Sequence, residues 1–204
     1  MSVKYKIRDQ HGLNYLTLTT CGWVDLFSRA ALRDIVLDSW RYCAEHKGLQ
    51  IWGFVFMSNH IHLIANTAQP HKLENVVRDF KAHTARRFLE LLHDKRQPES
   101  RREWLLYLFQ YFAKKTRSGQ EHQIWQNDNH PIALYTEKVA VQKLRYIHDN
   151  PVRAKLVTKP EDWRYSSASN YAHGQGVFDV QLLWMDFEED GGWFFGNVPG
   201  LNLD

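Results

Sequence analysis

The chain has 204 residues and a formal net charge of +3, and 44% of its residues are hydrophobic and 14% aromatic. This composition can bury a core and excludes wholesale disorder, and the length fits one ordinary domain with appended segments. No apolar run approaches the roughly eighteen residues of a membrane span, and residues 1–10 are too polar for a secretory signal. The sequence therefore predicts a cytoplasmic protein with no membrane partner.

The first half of the chain alternates between strand and helix patterns. Residues 14–22 alternate and are rich in β-branched and aromatic types, which predicts a strand, and residues 29–47 have helical apolar spacing that ends at Gly48. Two apolar runs follow at residues 49–57 and 60–65, separated by a polar pair suited to a tight turn. We expect these runs to form a hairpin.

The second half is mainly helical. An apolar stripe over residues 71–92 predicts a long amphipathic helix. The patterns then predict a connector at residues 94–102 and an aromatic-rich helix at 103–115. Two short strands are predicted at 123–126 and 131–135, followed by a helix from Thr136 to about Asn150 that Pro151 should stop. The whole order indicates an α+β fold, a ferredoxin-like antiparallel sheet with helices on one face, followed by a C-terminal extension.

Charge is distributed unevenly along the chain. Residues 72–117 contain twelve Lys and Arg against six Asp and Glu, whereas no Lys or Arg follows Arg164 and six acids do. A basic middle is typical of polyanion binding. It is equally typical of helix faces that simply contact water.

His60 and His62 flank Ile61 at the start of a predicted strand. Residues at i and i+2 of a strand share a face, so the two imidazoles should converge, as binding of a divalent cation requires. The alternative is that the two rings face solvent or hydrogen-bond elsewhere, because this spacing is common and lacks the full ligand set of a structural zinc site.

Tyr146 and Asn150 lie one helical turn apart near the end of the last predicted helix. The spacing places a phenol and an amide on one face, and Pro151 disfavours a helical conformation at Asn150, which should leave the amide free to turn. An amide oxygen is a suitable ligand for Mg or Mn. The alternative is a half-buried aromatic followed by an ordinary helix-terminal residue.

Together these two clusters resemble the single-tyrosine transposases that carry a His-hydrophobic-His motif, and especially the branch associated with repetitive extragenic palindromes. The residues that carry the resemblance are MSNHIHLI at 57–64 and YIHDNPVRAKLV at 146–157, with the basic helix and IWQ at 124–126 between them and PEDWRYSSASNY at 160–171 after them. The resemblance covers roughly residues 14–171.

This resemblance implies a ferredoxin-like nuclease fold in which His60, His62 and Asn150 bind Mg or Mn and Tyr146 attacks the phosphodiester. The expected product is a 5′-phosphotyrosine and a free 3′-hydroxyl. Insertion-sequence members often have glutamine four residues after the tyrosine, so asparagine here shortens the reach of the carbonyl oxygen. A phenol is a weak nucleophile unless it is assisted, and His148 or Asp149 are candidates for removing its proton. The expected division is a transposase or nickase domain at 1–173 and an acidic, aromatic extension at 174–204.

The expected partner is single-stranded or hairpin DNA, bound by a monomer or a homodimer. The DNA-binding candidates are Arg78, Lys81, Arg86, Arg87 and Arg153 for phosphates, with Trp125 and also Trp163 for base stacking. For the tail, one hypothesis is that its acids and aromatics dock over the basic helix and compete with DNA, and the alternative is that they pack elsewhere or support a dimer.

Two other functions stay open at this point. One is a catalytically silent, sequence-specific nucleic-acid-binding protein on the same fold. The other is a metal-dependent RNA or phosphodiester hydrolase in which water replaces Tyr146 as the nucleophile.

Overall fold

Four strands form one antiparallel sheet in this computed structural model, which describes residues 6–116 and 119–183 and the backbone of 186–187 and 193–194. The spatial strand order is β2-β3-β1-β4, in which β3 lies between two strands joined by a helical crossover, as the ferredoxin-like prediction requires. In chain order the main elements are β1 (Asn14–Thr19), α1 (Ala30–Lys47), β2 (Leu49–Phe56), β3 (His60–Thr67), α2 (Leu73–His93), α3 (Arg102–Thr116), β4 (Ile132–Ala133), α4 (Glu137–Arg153) and α5 (Ala168–His173).

Both faces of the sheet are covered, because alternate side chains of each strand point to opposite sides. One face carries strand residues such as Leu16, Phe54 and Leu63, and it packs against α1, α2 and α3. The other face carries Tyr15 and Ile64 and packs against apolar residues of α4. The predicted helical layer on one face is therefore present, and α4 adds a second layer on the opposite face.

The predicted strand at residues 123–126 is wrong. Trp125 makes an isolated bridge to Thr20, and the amide of Gln123 donates instead to the carbonyl of Phe109 in the middle of α3. Residue 123 is drawn away from the sheet by this bond, so a regular ladder cannot extend through the segment.

The predicted end of the last helix at Pro151 is also wrong, because α4 continues through Pro151 to Arg153. A proline biases the preceding residue away from the helical region but does not forbid it. Here Pro151 is buried, and the amide of Ala154 donates to the carbonyl of Asn150 at 2.9 Å, which stabilises the last turn. The predicted start of the helix is confirmed, since the Thr136 hydroxyl accepts from the amide of Val139 at 3.4 Å.

The segment after α4 covers the open edge of β2. The carbonyls of Phe54 and Ile51 accept hydrogen bonds from the amides of Ser167 (2.9 Å) and Gln181 (2.8 Å). Phe178 is buried against the core that lies under α1, and Leu183 is buried in the core under α4. Edge coverage protects the strand from pairing with other chains.

Packing on the core thus continues from α5 as far as Leu183, ten residues into the predicted extension. Beyond it, two short strands pair at Asp186–Phe187 and Trp193–Phe194. The tail side chains on which the docking hypothesis depends, from Trp184 onward, lie outside the described residues.

Candidate active site

His60 and His62 share one face of the sheet, as strand alternation predicts, and this is the face that α4 covers. Their Nε2 atoms are 3.2 Å apart, and their ring centroids are 4.6 Å apart. Strand β3 is a central strand, paired with β2 on one side and β1 on the other, so both rings are held on a rigid platform.

His62 is 5% exposed and is held by two hydroxyl groups of β1. Its Nδ1 atom is 2.7 Å from Oη of Tyr15 and 3.1 Å from Oγ1 of Thr17, the residue directly opposite His62 in the β1–β3 register. With its proton on Nδ1, His62 donates to one of these oxygens and its Nε2 keeps a lone pair directed at His60. Burial, then His60 and Lys143, lower the pKa of His62 to about 3, so the ring is neutral.

His60 is oriented by its chain neighbour. The Nδ1 atom of His60 donates to Oδ1 of Asn59 at 2.7 Å, which leaves the lone pair of His60 on Nε2. Burial lowers the pKa of His60 as well. The Trp23 ring contacts the His60 ring at a centroid distance of 5.8 Å.

This arrangement fits a divalent cation. Two nitrogen ligands at about 2.1 Å from a metal and at right angles to each other are about 3.0 Å apart, close to the 3.2 Å between the two Nε2 atoms. Two lone pairs that face each other at this distance repel unless a proton or a cation lies between them. No group of three His, Cys, Asp or Glu side chains is arranged to hold a metal ion in the described part of the chain, so further ligands would have to be amide, water or phosphate oxygens.

Tyr146 projects from α4 beside this pair. Its ring centroid is 5.4 Å from that of His62 and 6.3 Å from that of Tyr15, and 37% of the residue is exposed. Two cations border the ring, with Lys143 Nζ at 5.7 Å and Arg153 Cζ at 5.8 Å from its centroid. Of the phosphate-binding candidates, Arg153 is therefore the one placed beside the candidate nucleophile.

Asn150 lies one turn after Tyr146, but its side chain is engaged within α4. The Nδ2 atom of Asn150 donates to the main-chain carbonyl of Tyr146 at 2.6 Å. The prediction that the Asn150 amide is free to turn is therefore wrong, and only Oδ1 is left to bind a cation.

His148 does not support Tyr146. Its Nε2 atom is 2.8 Å from Oγ of Ser167, and its ring packs 5.3 Å from that of Tyr171. Residues two apart on a helix point in nearly opposite directions. The suggestion that His148 removes the phenol proton is therefore wrong.

The basic residues of α2 belong to the other layer. Apolar residues of α2 pack on the α1–α3 face of the sheet, whereas the histidine pair and Tyr146 lie on the α4 face. Arg78 pairs with Asp79, and Arg86 and Arg87 both pair with Glu90. Lys81 is half-buried and donates to the carbonyl of Gln126 at 2.7 Å, and burial lowers its pKa to about 8.

The prediction that Trp125 stacks on bases is wrong. Trp125 is 5% exposed, packs against Phe27, Phe80 and Phe88, and donates through Nε1 to the Thr84 hydroxyl at 3.0 Å. Trp163 is half-buried and donates through Nε1 to the carbonyl of Phe56.

Sequence reasoning missed five residues of the site, namely Tyr15, Thr17, Trp23, Asn59 and Lys143. The sequence could have indicated Tyr15 and Thr17, since their i and i+2 spacing places both side chains on one face of a predicted strand. Lys143 lies one turn before Tyr146, where helical spacing places it on the same face.

Comparisons with known proteins bear on the family and the fold of the chain. The family described as "Transposase IS200 like" matches residues 19–127, a span that includes the histidine pair and ends before Tyr146. No curated protein sequence matches the chain. Within the described residues, no helix is long and apolar enough to cross a membrane.

The solved structures that are similar to this one include two described as transposases. The REP-associated tyrosine transposase bound to a REP hairpin superposes with a TM-score of 0.56 at 17% identity, covering 94% of this chain and 97% of that chain. A proposed transposase from Deinococcus radiodurans R1 has a TM-score of 0.40 at 17% identity, covering 72% of this chain and 97% of that chain. The first likeness supports the fold.

The fold and the histidine pair define the class, an α+β protein built like a tyrosine transposase. Since the family match extends over more than half of the sequence, the chain belongs to the IS200-like transposase family.

Proposed function

We propose that this transposase is a metal-dependent DNA strand transferase that nicks single-stranded DNA near hairpins through a 5′-phosphotyrosine on Tyr146. The observation that carries the proposal is the convergence of two neutral imidazoles, with Nε2 atoms 3.2 Å apart, beside a partly exposed tyrosine whose ring is 5.4 Å from His62. Binding of a hairpin by the REP-associated transposase supports the choice of DNA substrate.

The cation would be held by His60 and His62, with Oδ1 of Asn150 as the proposed third protein ligand. Bound Mg or Mn supplies Lewis acidity, which withdraws charge from the non-bridging phosphate oxygens. The hydroxyls of Tyr15 and Thr17 and the amide of Asn59 keep both Nε2 atoms available for it.

The chain's own residues perform the remaining steps. Oη of Tyr146 attacks the phosphorus and gives up its proton to solvent, the bond between phosphorus and O3′ breaks, and the 3′-oxygen takes up a proton from solvent and leaves as a hydroxyl. Lys143 and Arg153 border Tyr146 and neutralise the charge that builds on the phosphate. The new phosphotyrosine bond keeps the strand attached for rejoining to another 3′-hydroxyl.

The α2 residues Arg78, Arg86 and Arg87 contribute differently in this proposal. Since α2 lies on the face opposite the histidine pair, these arginines would contact DNA that extends beyond the site and not the scissile phosphate.

A pool of single-stranded hairpin oligonucleotides with randomised flanks tests the proposal. In Mn²⁺ we expect nicking together with a covalent protein–DNA adduct, and excess chelator or His62→Ala should abolish both. Nicking without an adduct would indicate a water-using hydrolase. Binding without nicking would indicate a catalytically silent DNA-binding protein, and full activity in chelator would contradict metal dependence.

A further inference from the structure

Trp23 combines exposure with an unfavourable backbone conformation. The residue is 58% exposed, and its φ of 56° lies in the left-handed region, directly after Gly22 at φ 65°. Left-handed φ is uncommon for residues other than glycine, and a bulky side chain makes it more costly. Exposure forfeits the burial that normally favours a tryptophan, so packing does not explain this residue.

The surrounding hydrogen bonds fix Trp23 relative to the histidine pair. Nδ2 of Asn59 donates to the carbonyl of Trp23 at 3.3 Å, while Oδ1 of the same amide accepts from His60 at 2.7 Å. The guanidinium of Arg101, the residue just before α3, donates to the carbonyl of Asp25 at 2.9 Å and holds the same loop. One side chain thus connects the Trp23 backbone to a candidate metal ligand.

Ring contacts continue from Trp23 to the candidate nucleophile. Trp23 contacts His60 with centroids 5.8 Å apart, His60 contacts His62 at 4.6 Å, and His62 contacts Tyr146 at 5.4 Å. A DNA strand whose phosphate lies at the histidine pair would bring a neighbouring nucleotide within reach of the indole.

We propose that Trp23 stacks on an unpaired DNA base next to the phosphate bound at the histidine pair. This inference rests on the proposed function. Aromatic side chains stack on bases of any type because every base has a π face, and only an unpaired, splayed base exposes that face. Strain at a fixed, exposed aromatic beside a reaction site is consistent with a binding role.

Two probes of equal length and charge separate stacking from phosphate contacts. One is a dT 20-mer, and the other is a 20-mer made entirely of abasic nucleotides. We expect Trp23→Gly to weaken dT binding about tenfold and to leave binding of the abasic strand unchanged, while Trp23→Phe retains most of the affinity. Tyr42→Ala on α1, where Tyr42 is 56% exposed, is the matched control and should change neither affinity.

Thermal unfolding distinguishes this role from a structural one. Glycine relieves the positive φ at position 23, so Trp23→Gly should unfold at or above the wild-type Tm although it binds more weakly. Equal dT affinity of Trp23→Gly and wild type, or an equal loss on both probes, would overturn the inference. The proposed function is tested separately, by adduct formation. If the wild type forms no adduct with any strand, the proposed function fails, but the difference in affinity between the dT strand and the abasic strand still tests stacking on Trp23.

Discussion

At the residue scale, a metal-binding histidine must be neutral and must present the correct nitrogen. Burial provides the first condition at His62, whose pKa falls to about 3. The hydroxyls of Tyr15 and Thr17 provide the second, since both lie within hydrogen-bond distance of Nδ1 and a proton on Nδ1 can be donated to one of them. Burial also raises the pKa of Tyr15 to about 12, so the phenol stays neutral beside the imidazole.

Removal of the Tyr15 hydroxyl should weaken metal binding without loss of the fold. Tyr15→Phe keeps the ring but leaves only Thr17 to hold the tautomer, so we expect Mn²⁺ affinity to fall about tenfold, as measured by calorimetry. Tyr165→Phe is the matched control, since Tyr165 is also buried but lies in the core on the other side of the sheet. Equal affinities of wild type and Tyr15→Phe would show that Tyr15 does not orient His62.

Strand alternation was enough to predict that His60 and His62 share a face. It could not identify Tyr15 and Thr17 as their partners, because the pairing register of β1 and β3 depends on contacts between residues more than forty positions apart. The burial of Trp125 likewise depends on long-range packing, which local pattern does not contain.

At the element scale, amphipathicity identifies the buried face of a helix but not the side of the sheet that the helix covers. The sequence predicts both α2 and α4 as helices, yet α2 packs on one face of the sheet and α4 on the other. The basic residues of α2 are thereby separated from the site, and Arg153 at the end of α4 is brought to it.

This separation predicts different effects for two arginines. Arg153→Ala should slow adduct formation about tenfold or more on any substrate, because it removes a cation beside Tyr146. Arg86→Ala should leave adduct formation on a six-nucleotide strand unchanged, and weaken binding only of long hairpin DNA at low salt. A loss on the short strand in Arg86→Ala would contradict the assignment of α2 to the far face.

For the whole molecule, the segment after α5 is part of the folded unit. Phe178 contacts Trp40 with ring centroids 5.7 Å apart, and the amide of Leu183 donates to the hydroxyl of Tyr171. The sequence gives little sign of this packing, since the apolar residues there have no clear period.

Two truncations test the extent of the folded unit. A chain that ends after Leu183 retains both Phe178 and Leu183, and it serves as the reference for unfolding in urea. A chain that ends after Gly174 should lose at least about 3 kcal/mol, because it removes both Phe178 and Leu183 from the core. Phe178→Ala in the full chain serves as a control for the loss of that ring alone. Equal urea midpoints for the two truncations would contradict this packing.

Stability should also depend on pH through His148, on the α5 side of α4. Burial lowers its pKa to about 4, so the unfolded chain, with an ordinary histidine, binds the proton more readily. The stability that the neutral His148 contributes is complete above about pH 6.5 and is lost as the pH falls toward 4. At pH 5 the loss amounts to about 2 kcal/mol. His62 acts in the same direction, so the difference between wild type and His148→Gln isolates this histidine. If the urea midpoints of the two proteins fell by the same amount from pH 7.5 to 5, His148 would not be buried and neutral as described.

The central claim is that Tyr146 is the nucleophile, and peptide mapping of the covalent adduct tests it most directly. Wild type, Tyr146→Phe and Tyr135→Phe are incubated with single-stranded hairpin DNA and Mn²⁺, digested and analysed by mass spectrometry. Tyr135 is 59% exposed and therefore controls for accidental modification of an accessible tyrosine. We predict a nucleotide-bearing peptide that contains Tyr146 in wild type and in Tyr135→Phe, and no adduct in Tyr146→Phe. An undiminished adduct in Tyr146→Phe, carried by a different tyrosine, would contradict the account.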